Sequence, residues 1–136
     1  MLDPIHQIIA GSVLLTVIGI AYGGYFLTAV ARGKVPANDL QKTFFRAGHA
    51  HAGVLVTLGL LTMVVVNSSG VTGPLAFGSF GVLGAAILIP AGFFLSVVGK
   101  EPERPNRLMG LVWAGAIILT LGLVSAGVGL IIGGGR

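Results

Sequence analysis

The residues of this chain that could do chemistry are few and concentrated. The segment Phe44-Phe-Arg-Ala-Gly-His-Ala-His-Ala-Gly53 places Arg46, His49 and His51 together in otherwise apolar surroundings. Imidazole in its neutral form ligates iron and other metals. An ionisable group in hydrocarbon is costly, so it normally faces protein and carries a function. Spacing limits what the pair can be. Residues two apart on a helix differ by about 200° in direction, so His49 and His51 point to nearly opposite faces. A single metal ion needs ligands at i, i+3 or i, i+4. The pair therefore serves two separate sites, or one site in each of two neighbouring chains. Arg46, His49 and His51 are the candidate cofactor-binding residues, with His49 and His51 the candidate ligands of a haem iron. A plainer alternative makes both histidines interfacial, ~3–6 Å inside the hydrocarbon edge, within reach of water, lipid phosphate or loop carbonyls. A third alternative is a proton or substrate path with the three residues at its mouth.

Arg46 lies one turn before His49 on a similar face, and Asn67 lies five turns beyond His49 on that face. Between them Gly53, Val56, Leu60 and Met63 make an apolar strip that suits packing or a flat hydrophobic ligand. His6 follows Asp3-Pro4 at the far end of the first helix, some ~25 Å from His49 across a hydrocarbon core of about 30 Å. It cannot share an iron with His49 across that distance and reads as an interface anchor. Tyr22, Tyr25 and Trp113 read as aromatic belt residues. Glu101 and Glu103 sit in a mixed-charge loop whose surface pairs are worth little; the sharper alternative has one of them reaching Arg46 or the histidines.

Several chemistries are excluded. The chain has no cysteine, so disulfides, iron–sulfur clusters, thiolate zinc sites and thiol catalysis are absent. No Asp or Glu falls within an apolar span, where proton-coupled exporters usually need one. No serine–histidine–acid set or phosphate loop is present, so no catalytic residue is assigned.

The elements that must position these residues follow from composition. Of 136 residues, 54% are hydrophobic and 9% charged, against roughly 25% charged in a soluble domain. So little polar surface cannot cover a fold in water, and the solvent must be largely lipid. Four stretches reach the ~20 apolar residues that a crossing needs: about 5–31, 40–66 (apolar from about Ala47), 74–98 and 105–132. The chain therefore reads as one all-α domain, a four-transmembrane-helix bundle with Gly-rich packing. The first stretch is too long, and its lead-in too uncharged, for a cleavable signal peptide. Asn38 or Asp39 can cap the second helix, Pro74 suits the start of the third, and Pro90 should kink it.

The formal net charge of +4 comes from scattered cations at helix ends, not from the basic stripe of a nucleic-acid face. Arg32, Lys34, Lys42 and Arg46 flank the first connection and Lys100, Arg104 and Arg107 the third, leaving only Arg136 elsewhere. That bias predicts a cell-membrane protein with loops one and three cytoplasmic and both termini outside, N-out/C-out. Among the 23 glycines, Gly19/Gly23, Gly78/Gly81/Gly84 and Gly129/Gly133 recur at helical spacing, with Gly115, Gly122 and Gly127 upstream of the last pair. Small residues let membrane helices approach closely, and four helices have few faces to use so many. The expected partners are the lipid bilayer and a second copy or larger membrane complex.

Arg46-Ala-Gly-His-Ala-His-Ala-Gly53 resembles a short element of haem–copper oxidase catalytic subunits, where a His-x-His pair holds two cofactors on opposite helix faces. The resemblance implies haem ligation by His49 and His51, with further ligands coming from a second chain. Phe44 to Gly53, with Ala91-Gly-Phe-Phe-Leu-Ser96 and Arg104-Pro-Asn-Arg-Leu108, also resembles small four-helix membrane proteins of actinobacterial type; that likeness implies the fold and no activity. The expectation is a non-enzymatic accessory or structural subunit with a His/Arg cluster at the cytoplasmic end of helix two. The alternatives are a haem-binding electron-transfer protein and a small transporter or channel.

Overall fold

The structure is a computed structural model that describes residues 2–135; Arg136, the cation assigned above to the far side, lies outside them. Four helices follow in order: α1 Pro4–Ala31, α2 Asp39–Ser68, α3 Gly78–Leu95 and α4 Gly110–Gly134. Tight 3-10 turns at Gly73–Phe77 and Arg107–Met109 lead into the last two. With those turns, all four are long and apolar enough to cross a bilayer. The chain is thus an all-α, multi-pass membrane protein built as a four-helix bundle, as its hydropathy predicts.

The helix starts follow side-chain chemistry. Asp3 Oδ1 accepts from the N–H groups of Ile5 and His6, both at 3.0 Å, and Pro4 occupies the first turn, where its missing donor does not matter. Asn38, not Asp39, caps α2: its Oδ1 accepts from Gln41 N at 2.9 Å while the Asn38 N–H donates back to Gln41 Oε1 at 3.1 Å.

Three boundaries differ from expectation: α4 begins at Gly110, after the Arg107–Met109 turn, and not at 105, and contacts explain the other two. Pro74 opens a 3-10 turn rather than the α-helix, because that turn docks on α4: a Cβ at Gly129 would lie 2.9 Å from Val71 Cγ1 and 3.1 Å from Leu75 Cβ. α3 ends at Leu95 rather than near Val98. Its last carbonyls are taken by side chains and loop backbone, with Asn106 Nδ2 donating to Leu95 O at 3.0 Å and Asn106 N to Ser96 O at 2.7 Å. Pro90 lies buried inside α3, which continues through it.

The helices stand as an open row in chain order. α3 packs along α2 on one side and α4 on the other, α1 leans on α2, and α2 meets α4 only briefly. The α2/α3 core is Leu55, Val56, Ala85, Ala86 and Ile89, with Val13 and Ile20 of α1 against it. The α3/α4 seam is glycine against glycine: a Cβ at Gly78 would fall 2.5 Å from Gly122 O, and one at Gly122 2.7 Å from Gly78 O.

Candidate functional site

The His/Arg cluster sits where α2 passes between α1 and α3. Gly48 permits this arrangement. A Cβ there would lie 2.8 Å from Phe94 Cε2 and 3.2 Å from Phe93 Cβ, so its missing side chain lets two α3 phenylalanines straddle α2. Two aromatic clusters result. Phe44 and His51 both meet Phe93, with centroids 5.6 and 5.2 Å away. Phe45 meets Phe26 of α1 at 5.4 Å and Phe94 at 5.7 Å.

His49 and His51 take opposite sides of α2, as their spacing requires. The His49 ring lies in a notch of α1: Cβ atoms at Gly23 and Gly24 would stand 3.3 Å from Nδ1 and 3.5 Å from Nε2. Beyond it a shallow apolar groove of ≈ 550 Å³ runs along α2 past Gly53 and Thr57. His51 turns toward α3. Its Nδ1 stands 2.8 Å from Ala47 O. A carbonyl only accepts, so Nδ1 carries the proton, and in the neutral ring Nε2 is left as the lone-pair atom. This backbone bond is how metal-ligating histidines are commonly oriented.

Arg46 shares the α1 side with His49. Its Nε donates to Lys42 O at 3.3 Å, and among the described residues it forms no ion pair. Glu101 and Glu103 form no ion pair with Arg46 or the histidines; their side chains are exposed. The apolar strip from Gly53 to Met63 is not free for a flat ligand: Val56 and Met63 are buried by protein. Tyr22, Tyr25 and Trp113 are about two-thirds exposed or more, as aromatic belt residues would be.

The opposite end of the α1/α2 seam holds a second polar group. His6 Nδ1 lies 2.7 Å from Asp3 Oδ2, and Asn67 Nδ2 donates to the same oxygen at 3.1 Å. The His6 ring packs on Phe80, 5.6 Å between centroids. The backbone N–H of His6 and then its ring, both bonded to the carboxylate, hold the Asp3 pKa at about 2, below the ordinary 3.8. Asn67 does share a helix face with His49, but it serves as a tie to α1.

Sequence reasoning missed the network that joins loops one and three. Gln41 is buried, and its Nε2 donates to Val97 O and Gly99 O, both at 3.1 Å. Asn38 Nδ2 donates to Pro102 O at 2.8 Å. The Asn-x-x-Gln pattern signals the cap, and an amide beside a helix end needing carbonyl partners could have suggested the rest. No group of three or more His, Asp or Glu among the described residues could hold a metal ion, and His49 and His51, on opposite sides of α2, cannot both ligate one iron within this chain. Comparison with known proteins returns no matching family model, no matching curated protein and no matching solved structure.

Proposed function

We propose that this protein is a non-enzymatic membrane subunit that assembles with copies of itself or with a larger membrane complex through α1. The single observation that carries this reading is that α1 packs chiefly on α2, touching α3 through His6 on Phe80, and is otherwise left without protein over most of its length. Ser12, Thr16 and Gly19 are exposed at a four-then-three spacing, and a Cβ at Gly11 or Gly19 would meet nothing within 4 Å. Bulky side chains fill lipid-facing positions as well as any; small residues on one helix stripe suit the close approach of another helix. In this reading the protein sits in the cell membrane. Its basic ends are cytoplasmic and its termini outside, following the bias of seven cations. A Ser69→Cys variant should then react with an impermeant thiol reagent added to intact cells.

The test is a mild-detergent purification with native mass and absorption spectrum. A multiple of the 13.8 kDa chain, or co-purification with larger membrane subunits, supports the reading; a lone monomer throughout overturns it. A second reading, haem ligation at a contact between chains, is favoured by the Nδ1 bond of His51 to Ala47 O, which leaves Nε2 as the lone-pair atom of an exposed residue. His49, lying on Gly23 and Gly24, is the less accessible of the pair. A Soret band lost in His51→Ala would support haem; a colourless protein from haem-replete cells would remove it.

A further inference from the structure

We propose that the pocket between the C-terminal end of α1 and the first turns of α2 binds the phosphate headgroup of an anionic phospholipid. A cavity of ≈ 100 Å³ opens there, lined by Leu27, Val30 and Ala31 of α1 and by Lys42 and Arg46 of α2. Three of its lining residues are apolar and two are cations. A lipid headgroup has this polarity: an anionic phosphate above, hydrocarbon below.

Three observations point to a bound anion. Lys42 and Arg46 are four residues apart on one helix and border the same pocket. Like charges at that spacing repel, and an anion between them turns the repulsion into attraction. Arg46 makes no ion pair among the described residues, and its Nε is held by Lys42 O. That fixes the guanidinium near the pocket with its terminal N–H groups free, and these suit two phosphate oxygens. Lys42 meets only Asp39, at 3.3 Å, through a fully exposed carboxylate; such a pair is weak and yields readily to phosphate.

Depth decides the source of the phosphate. Lys42 and Arg46 stand in the first two turns of a spanning helix, at headgroup level, where long basic side chains reach out of the hydrocarbon. The five other described cations, Arg32, Lys34, Lys100, Arg104 and Arg107, lie at the same end of the row, so the leaflet around it is drawn toward anionic lipid. The pocket needs no assumption about which side of the membrane that leaflet faces.

The experiment is lipid retention by the whole protein in native mass spectrometry, comparing phosphatidylglycerol with phosphatidylcholine of the same chains. Phosphatidylglycerol should be retained selectively. Lys42→Gln and Arg46→Gln should each weaken retention about fivefold and the double variant about thirtyfold, from roughly 1 kcal/mol per cation at a membrane surface. Arg104→Gln, in the third loop, should change it little. Ala31→Trp, which adds a bulky side chain to the lining and keeps both cations, should also abolish selective retention. Equal retention of the two lipids overturns the proposal, as does normal retention by the double variant. If Ala31→Trp retains phosphatidylglycerol, the attraction belongs to the charged surface and not to the pocket, and the proposal fails. If millimolar inorganic phosphate displaces the lipid, the site takes a soluble anion and the assignment to lipid fails.

Discussion

The α3/α4 seam and the α1/α2 seam join helices of similar apolarity in opposite ways. In α3 half of the most apolar stretch is buried inside the protein; in α1 the share is 6%. The α3/α4 seam brings backbones together at Gly78, Gly81, Gly115 and Gly122, and neither helix carries an ionisable side chain. The α1/α2 seam is loose and polar. Asp3, His6 and Asn67 tie one end of it, while Arg46 and His49 occupy the other. In lipid no hydrophobic drive separates a buried apolar helix from an exposed one. Close backbone contact therefore sets which seam is rigid, and the seam without it is left to hold polar groups and take up a ligand or partner.

The strongest way to break this contrast is to fill the tight seam. Gly122→Val places a side chain against Gly78 O and Val82 N, where a Cβ alone would stand 2.7 and 3.0 Å away. Both neighbours are backbone and cannot rotate aside. Overpacking of this kind typically costs 1–3 kcal/mol, and the rigid surroundings put this site near ~3 kcal/mol. Reversible unfolding in bicelles measures it. A loss below ~1 kcal/mol would mean that the seam can separate and that the two seams do not differ in kind.

Next in size is the junction of loops one and three. Gln41→Ala removes both donors to Val97 O and Gly99 O and leaves their carbonyls without the buried amide. Such a loss costs about 1–3 kcal/mol. Limited proteolysis at Lys100–Arg107 should accelerate, while α3 and α4 stay protected. Unchanged cleavage would show that loop three is held by Asn106 and Asn38 without Gln41.

Some of this architecture is legible in residues. The four spans, a polar cap on α2 at Asn38 or Asp39, and the opposite faces of His49 and His51 follow from hydropathy, from capping chemistry and from 3.6-residue geometry. The glycines show where reading stops. Gly78 and Gly81 lie against Gly122, whereas a Cβ at Gly84 would reach only Ile118 Cγ2, at 3.9 Å, and one at Gly19 would meet nothing within 4 Å. Spacing marks the small residues on a helix but not the neighbour that uses them, because that depends on the order of helices in the membrane plane. The same holds for polar ties. Asp3 and His6 are three residues apart and could be paired by inspection, but Asn67 joins them only because α2 runs beside α1 over its whole length.

The tie at the far end of the loose seam sets a pH dependence. Asp3 titrates at about 2 in the folded chain against 3.8 ordinarily, so the native state favours the carboxylate. Its contribution is complete above about pH 4 and disappears as pH falls through about 2. Exchange of the first-turn amides of α1 should rise over that window, and Asp3→Asn should flatten the profile while leaving α3/α4 exchange untouched. A profile unchanged in Asp3→Asn would place the titrating group elsewhere.

The smallest effect is expected on the open face of α1, and its smallness is the point. At Gly19 a Cβ meets no atom within 4 Å, so Gly19→Ala should change the stability of the isolated chain by no more than about 0.5 kcal/mol. Gly19→Ile should be equally harmless to the single chain, because the added atoms project into lipid. If α1 packs on another copy or a larger partner, however, the same branched side chain holds the helices apart, and the native mass should fall to the monomer with the fold intact. The two readouts separate a face that merely borders lipid from one that docks. Lost assembly with kept stability marks an interface, whereas kept assembly in both variants assigns Gly19 to lipid and moves the contact to another surface of the row.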